Sequence, residues 1–135
     1  MTTAATRPAT AARRRELFEE AAAIIALEFS GPVSLQELAR RLATSPRQLQ
    51  RAFGEAGEPG PRAYLRRVRM KRAAELLRDG ATVGQAAWLV GYSQPAQFAK
   101  AFRLEHGHLP RDARRRDRAG LPPQNLVRAQ TVGDA

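Results

Sequence analysis

One apolar pattern occurs twice in this chain, and that repeat limits the fold more than any other feature. Leu35, Leu38, Ala39 and Leu42 recur 48 residues later as Val83, Ala86, Ala87 and Val90. Pro46, Leu49, Ala52 and Phe53 recur 49 residues later as Pro95, Phe98, Ala101 and Phe102, so the turn inside the second copy is one residue longer. Spacings of three and four are those of a helix face. Each copy therefore reads as two helices and a short turn, with a small residue at the crossing (Ala39, Ala87) and a bulky one on the second helix (Leu49, Phe98). That is the make-up of a helix-turn-helix. Gly91 suits a left-handed turn position because it has no Cβ to clash, and Ala43, at the same place in the first copy, is expected to carry ~1 kcal/mol of strain.

The rest of the chain is also helical in pattern, with no convincing alternating segment, so the expected fold class is all-α: two helix-turn-helix subdomains joined by a long connector helix. Leu17, Phe18, Ala21, Ile24, Ile25 and Leu27 form the apolar positions of a helix from Arg13 to Phe29, stopped at Ser30-Gly31-Pro32. Ser34 with Glu37 has the capping-box spacing, and Ser45-Pro46 reads as an N-cap followed by a first-turn proline. The first helix-turn-helix then spans about 34–57, the connector about 62–79 and the second unit about 82–107. On the connector, Tyr64, Leu65 and Val68 lie nearly opposite Met70, Ala73, Leu76 and Leu77, so the helix is expected to serve two separate cores. A short helical turn is expected from Pro110 to about Arg116. Segments 1–12 and 117–135 lack apolar periodicity and are expected to be mobile arms flanking a 13–116 domain.

Charge narrows the function. The 135 residues carry 23 Lys+Arg against 13 Asp+Glu, a net charge of +10, which suggests a polyanionic partner. All the basic residues but Lys71 and Lys100 are arginine, which fits phosphate binding and a GC-rich genome equally well. With no cysteine there is no thiolate metal site, disulfide or cysteine nucleophile, and His106 and His108 read as part of a helix end. Glu19-Glu20 lies beside Arg13–Arg15 on a solvent face, so no catalytic constellation, metal or cofactor is expected. No apolar run is long enough to span a membrane, and a cytoplasmic protein is expected. Two helix-turn-helix copies on a basic chain favour binding to double-stranded DNA. A 17-residue connector of about 25 Å would bring the two second helices near the ~34 Å groove repeat, so that one monomer could enter two successive major grooves.

From Val33 to Arg114 the chain resembles the DNA-binding domain of the AraC/XylS family of bacterial transcription regulators. The resemblance rests on Ser34-Leu35-Gln36-Glu37-Leu38-Ala39, Ser45-Pro46-Arg47-Gln48-Leu49-Gln50-Arg51-Ala52-Phe53, Tyr64-Leu65-Arg66-Arg67-Val68-Arg69-Met70, Ala73 with Leu76-Leu77, Val90-Gly91-Tyr92-Ser93, and Phe98, Phe102, Gly107 and Pro110 in order. It implies seven helices, promoter binding and activation through contact with RNA polymerase. The chain is similar to the small stand-alone members of the MarA type, with an excised domain of a longer regulator as the alternative. Ala86, Ala113 and Gly54 depart from the family pattern and imply lighter packing, so modest stability is expected, above all in the second unit.

With Leu49, Ala52 and Phe53 in the core, Arg47, Gln48, Gln50 and Arg51 point outward. The resemblance places base contacts at Arg47, Gln50 and Arg51; arginine matches the O6/N7 edge of guanine and glutamine the N6/N7 edge of adenine. The repeat maps these positions to Ala96, Ala99 and Lys100, with Gln97 beside them, so the first unit is expected to set sequence specificity and the second to supply docking. Phosphate contacts are expected from Ser45, Ser93, Gln94, Arg66, Arg67 and Arg69. The connector arginines have ion pairs with Glu75 or Asp79 as their alternative. Arg111, Arg114, Arg115, Arg116 and Arg118 are left between flanking phosphates and a solvated run. Trp88 is expected to pack against a neighbour. The expected function is a monomeric, sequence-specific regulator, an activator, with a polymerase-holding interaction module and a nonspecific architectural binder as the alternatives.

Overall fold

The computed structural model describes residues 3–113. Six helices follow in order: α1 Thr3–Glu28, α2 Leu35–Arg41, α3 Pro46–Glu55, α4 Pro61–Arg78, α5 Val83–Leu89 and α6 Pro95–His106. A further helical turn covers 110–113. Among the described residues there is no strand, and the fold is all-α with two helix-turn-helix units. The chain divides into two compact units whose boundary, between Leu65 and Arg66, falls inside α4.

In the first unit Leu17, Ala21 and Ile25, one turn apart on α1, are buried with Leu35, Leu38 and Ala39 of α2, Leu49, Ala52 and Phe53 of α3, and Leu65 of α4. Three rings lock these elements edge-to-face: Phe18–Phe53 at 4.9 Å, Phe53–Tyr64 at 5.4 Å and Phe18–Tyr64 at 6.0 Å between centroids. Each such pair contributes ~0.5–1.5 kcal/mol beyond the area it buries. In the second unit Met70, Ala73, Leu76 and Leu77 of α4 are buried with Ala86, Ala87 and Val90, with Phe98, Ala101 and Phe102, and with Ala113. Each part of α4 thus buries its own apolar set, as the absence of a single stripe predicted.

Helix ends follow from local chemistry. The Ser34 and Ser45 hydroxyls accept from the backbone N–H of Glu37 and Gln48 at 3.0 and 3.1 Å. The expected Ser34–Glu37 capping box is half made, because the Glu37 carboxylate goes to Arg40 at 2.6 Å instead of back to the Ser34 amide. The complete capping box is Thr82 with Gln85, which the sequence reading missed.

The two turns match bond for bond. Ala43 N–H donates to Arg40 and Thr44 N–H to Ala39 in the first unit, as Gly91 donates to Trp88 and Tyr92 to Ala87 in the second. Ala43 has φ 54° and Gly91 φ 97°, both left-handed, and Ala43 is the one non-glycine residue with positive φ among those described.

Three expectations need correction. The first helix begins at Thr3, not Arg13, so most of segment 1–12 is helical; its five alanines supply the propensity that periodicity does not register. Leu27 is 83% exposed, because it lies about 200° round the helix from the buried Ile25. Trp88 is 74% exposed and does not pack: one and two residues past Ala87 and Ala86, it is turned off their buried face. The expected tail 117–135, and Arg114, Arg115, Arg116 and Arg118, lie outside the described residues.

The turn geometry sets opposite signs for one substitution pair. Ala43→Gly relieves a left-handed Cβ and is expected to stabilise the first unit by about 0.5–1 kcal/mol, whereas Gly91→Ala is expected to destabilise the second by about 1 kcal/mol. Urea unfolding followed by circular dichroism reads both, and shifts of the same sign would refute the account.

Candidate nucleic-acid interface

In the first unit α3 buries Leu49, Ala52 and Phe53, and the same helix leaves Arg47, Gln48, Gln50 and Arg51 exposed together on its other side. Four polar side chains thus share one surface, with Ser45 at the head of the helix. The Ser45 oxygen is occupied by the Gln48 amide, which leaves its hydroxyl hydrogen to donate.

In the second unit α6 buries Phe98, Ala101 and Phe102, leaving Ala96, Gln97 and Lys100 exposed and Ala99 half-buried. Ser93 and Gln94 are exposed at its start. Gln94 makes no side-chain cap, so the first-turn amides of α6 have no cap acceptor from it. The expected imbalance between the two outer faces is present in the exposed side chains: two arginines and two glutamines on α3, and one lysine, one glutamine and alanines on α6.

The connector arginines divide. Arg66 donates from Nε to Glu105 at 2.7 Å and is half-buried, so its charge is spent inside the second unit. The Arg69 guanidinium carbon stands 5.4 Å from the centroid of Tyr92, next to Ser93. Arg67 is exposed on α4. The alternative ion pairing occurs at Arg72, which meets Glu75 at 3.1 Å.

The histidines lie at a helix end. Gly107 closes α6 in a left-handed conformation, His106 donates from Nε2 to the Met70 carbonyl at 2.9 Å and its ring lies 4.4 Å from Phe102. Among the described residues no three His, Cys, Asp or Glu side chains converge as a metal site. No described helix is long and apolar enough to cross a membrane.

A group that the sequence reading passed over lies beside the α3 face. Glu55, the last residue of α3, takes Arg14 Nε of α1 on one oxygen at 2.7 Å and Arg51 Nε on the other at 3.2 Å. The four-residue spacing of Arg51 and Glu55 was a visible signal. Arg14 lies 41 residues away and gave none.

Three carboxylates of the first unit are held below their ordinary range by hydrogen-bonded arginines: Glu28 by Arg41, Glu37 by Arg40, and Glu55 by Arg14 and then Arg51. A depressed folded-state pKa stabilises the fold above the unfolded value and is lost as pH falls through the folded one. The thermal midpoint is therefore expected to fall as pH drops from about 5 toward 3, and the Glu28→Gln/Glu37→Gln double variant to show a shallower fall over that window. A double variant as acid-sensitive as the parent would show that these pairs do not set the dependence.

Known proteins share this arrangement. A family model described as a helix-turn-helix domain matches residues 38–116. The HTH-type transcriptional regulator GbdR of Pseudomonas aeruginosa is 30% identical over 116 residues, covering 81% of this chain and 32% of that protein. The HTH-type transcriptional activator RhaS of Escherichia coli is 33% identical over 87 residues, covering 64% and 31%. The chain thus spans about a third of the length of the curated relatives it matches. Among solved structures, an AraC-type transcriptional regulator from Chromobacterium violaceum superposes with a TM-score of 0.69 at 25% identity, over 78% of this chain and 96% of that one. The C-terminal domain of AraT, a response regulator from Geobacillus stearothermophilus, also superposes with a TM-score of 0.69, at 31% identity over 73% and 84%. With its repeated helix-turn-helix and the family model across more than half its length, the chain belongs to the AraC/XylS family of DNA-binding transcription regulators.

Proposed function

We propose that this regulator binds promoter DNA as a monomer, with α3 and α6 entering successive major grooves, and that it activates transcription through contact with RNA polymerase. The observation that carries the base-reading part is the clustering of Arg47, Gln48, Gln50 and Arg51 on the single outer face of α3. Arginine and glutamine are the side chains whose paired donors and acceptors match purine edges. Activation rests on the relative RhaS, which is named an activator.

The two helices then do different work. Arg47, Gln50 and Arg51 read bases, with Gln48 at the side. Ala96 and Ala99 offer methyl groups that contact thymine and discriminate little, so Gln97 and Lys100 supply the polar contacts of the second helix. Ser45, Ser93 and Gln94, with Arg67 and Arg69, position the phosphates. Arg66 keeps Nε on Glu105, so a phosphate would meet its terminal Nη groups.

The test starts from selecting bound fragments out of random DNA at physiological salt, then measures variants on single-base changes of the recovered site. Arg51→Ala is expected to relax specificity at one position, losing about 1–3 kcal/mol there. Lys100→Ala is expected to weaken all sequences alike and to reduce the slope of log K against log salt by about 1. Equal loss of specificity in both variants would overturn the division of labour. Enrichment of no sequence would leave the interaction-module or architectural reading in its place. Titration of the purified chain on its site, with the mass of the complex measured, tests the monomer.

A further inference from the structure

Glu55 is an acidic residue in an unfavourable place for a DNA-binding face. It closes α3 one turn beyond Arg51, where a carboxylate faces the field of the phosphates that the helix is proposed to approach. Both its oxygens are engaged. Oε1 accepts from Arg14 Nε at 2.7 Å, and that arginine, on α1, keeps only 13% of its side chain exposed. Oε2 accepts from Arg51 Nε at 3.2 Å, while the Arg51 side chain remains 60% exposed.

The attachment point on Arg51 matters. Guanidinium recognition of a guanine edge uses two parallel N–H donors. Glu55 engages Nε, so the terminal Nη1 and Nη2 groups stay available as an end-on fork. A free arginine samples many rotamers and loses that freedom on binding, whereas one tethered at Nε has fewer to lose. The tether is itself held, because Arg14 fixes the carboxylate against α1, and α1 is fixed to α3 by Phe18 on Phe53. A base-reading side chain supported by a second residue, itself supported by a rigid helix, is the arrangement that holds a contact geometry within tenths of an ångström.

We propose that Glu55 is a positioning residue for sequence readout: bridging Arg14 and Arg51, it aims the Arg51 fork at one base and makes α1 part of the recognition apparatus. This rests on the reading that Arg51 contacts a base. The carboxylate also repels phosphate, so Glu55 trades general affinity for discrimination.

The experiment uses the full chain and the DNA site it selects, with every single-base variant of that site and a random duplex as probes. Glu55→Ala is expected to reduce discrimination at the base pair read by Arg51 by about fivefold or more, with other positions unchanged and binding to random duplex unchanged or tighter. Glu55→Gln, which keeps the side-chain volume and one acceptor, is expected to fall between it and the parent. On an Arg51→Ala background Glu55→Ala is expected to cost no further discrimination, because its effect passes through that arginine. A uniform loss at all positions would show that Glu55 only supports the fold, and would overturn the inference, as would an unchanged profile or a further loss on the Arg51→Ala background. The outcome for Arg51→Ala alone separates the two claims. If it alters no position, base reading by Arg51 and the role of Glu55 fall together; if it alters one position and Glu55→Ala does not, only the role of Glu55 falls.

Discussion

The left-handed residue between the two helices of each repeat is the constraint on which the structure depends. At Ala43 and again at Gly91 the chain reverses hand for one residue, and the following amide reaches back five residues to Ala39 or Ala87. Those two acceptors belong to the small residues at the helix crossing, both buried. A larger side chain there would hold the helices apart and pull the amide from its carbonyl. Turn and crossing therefore specify each other, and together they aim the face of α3 or α6 that does not enter the core. A surface helix can be rich in arginine and glutamine in any protein; here the turn is what holds those residues outward as one group.

This also explains how much of the fold is legible in the sequence. The repeat located all four short helices, the turn position in both copies and the buried residues of α3 and α6, because apolar spacing, small residues and glycine preference act within about twenty residues. The outward groups on α3 and α6 followed by exclusion from the core. What failed depended on distant or competing partners. Leu27 was assigned to a stripe from which the helical period excludes it, whereas for Trp88 the period does not say whether a neighbour covers the outer face. Glu37 has the capping-box spacing, yet Arg40 offers a charged partner that outcompetes a single backbone amide. The Arg14–Glu55 pair joins residues 41 apart, a separation at which local pattern carries no information. The early start of α1 escaped notice for the opposite reason: alanine favours helix without marking a face.

The two units solve the same packing problem with different chemistry. The first closes its core with an edge-to-face triangle of Phe18, Phe53 and Tyr64, which brings α1 and α4 onto α3. The second stacks Phe98, Phe102 and the His106 ring in series, with Tyr92 at one end, and ties His106 to a backbone carbonyl of α4. Identity of fold between the halves thus does not carry identity of surface. Core positions keep their apolar character across the repeat, while the outward positions have diverged from Arg, Gln and Arg to Ala, Ala and Lys.

The net charge takes on a different meaning once its partners are placed. Much of the arginine content of the first unit is neutralised locally: Arg13 by Glu16 and Glu20, Arg14 by Glu55, Arg40 by Glu37 and Arg41 by Glu28. Arg41–Glu28 ties α2 to α1 and Arg14–Glu55 ties α3 to α1, while the other pairs lie within one helix. Arg47 on α3 and Lys100 on α6 have no carboxylate partner among the described residues, so the uncompensated charge of each unit includes the outer face of its second helix. A polyanion approaching the first unit meets attraction there and ion-paired surface around α1 and α2. The acidic residues therefore shape the electrostatic field as well as the basic ones, by pairing the arginines of α1 and α2.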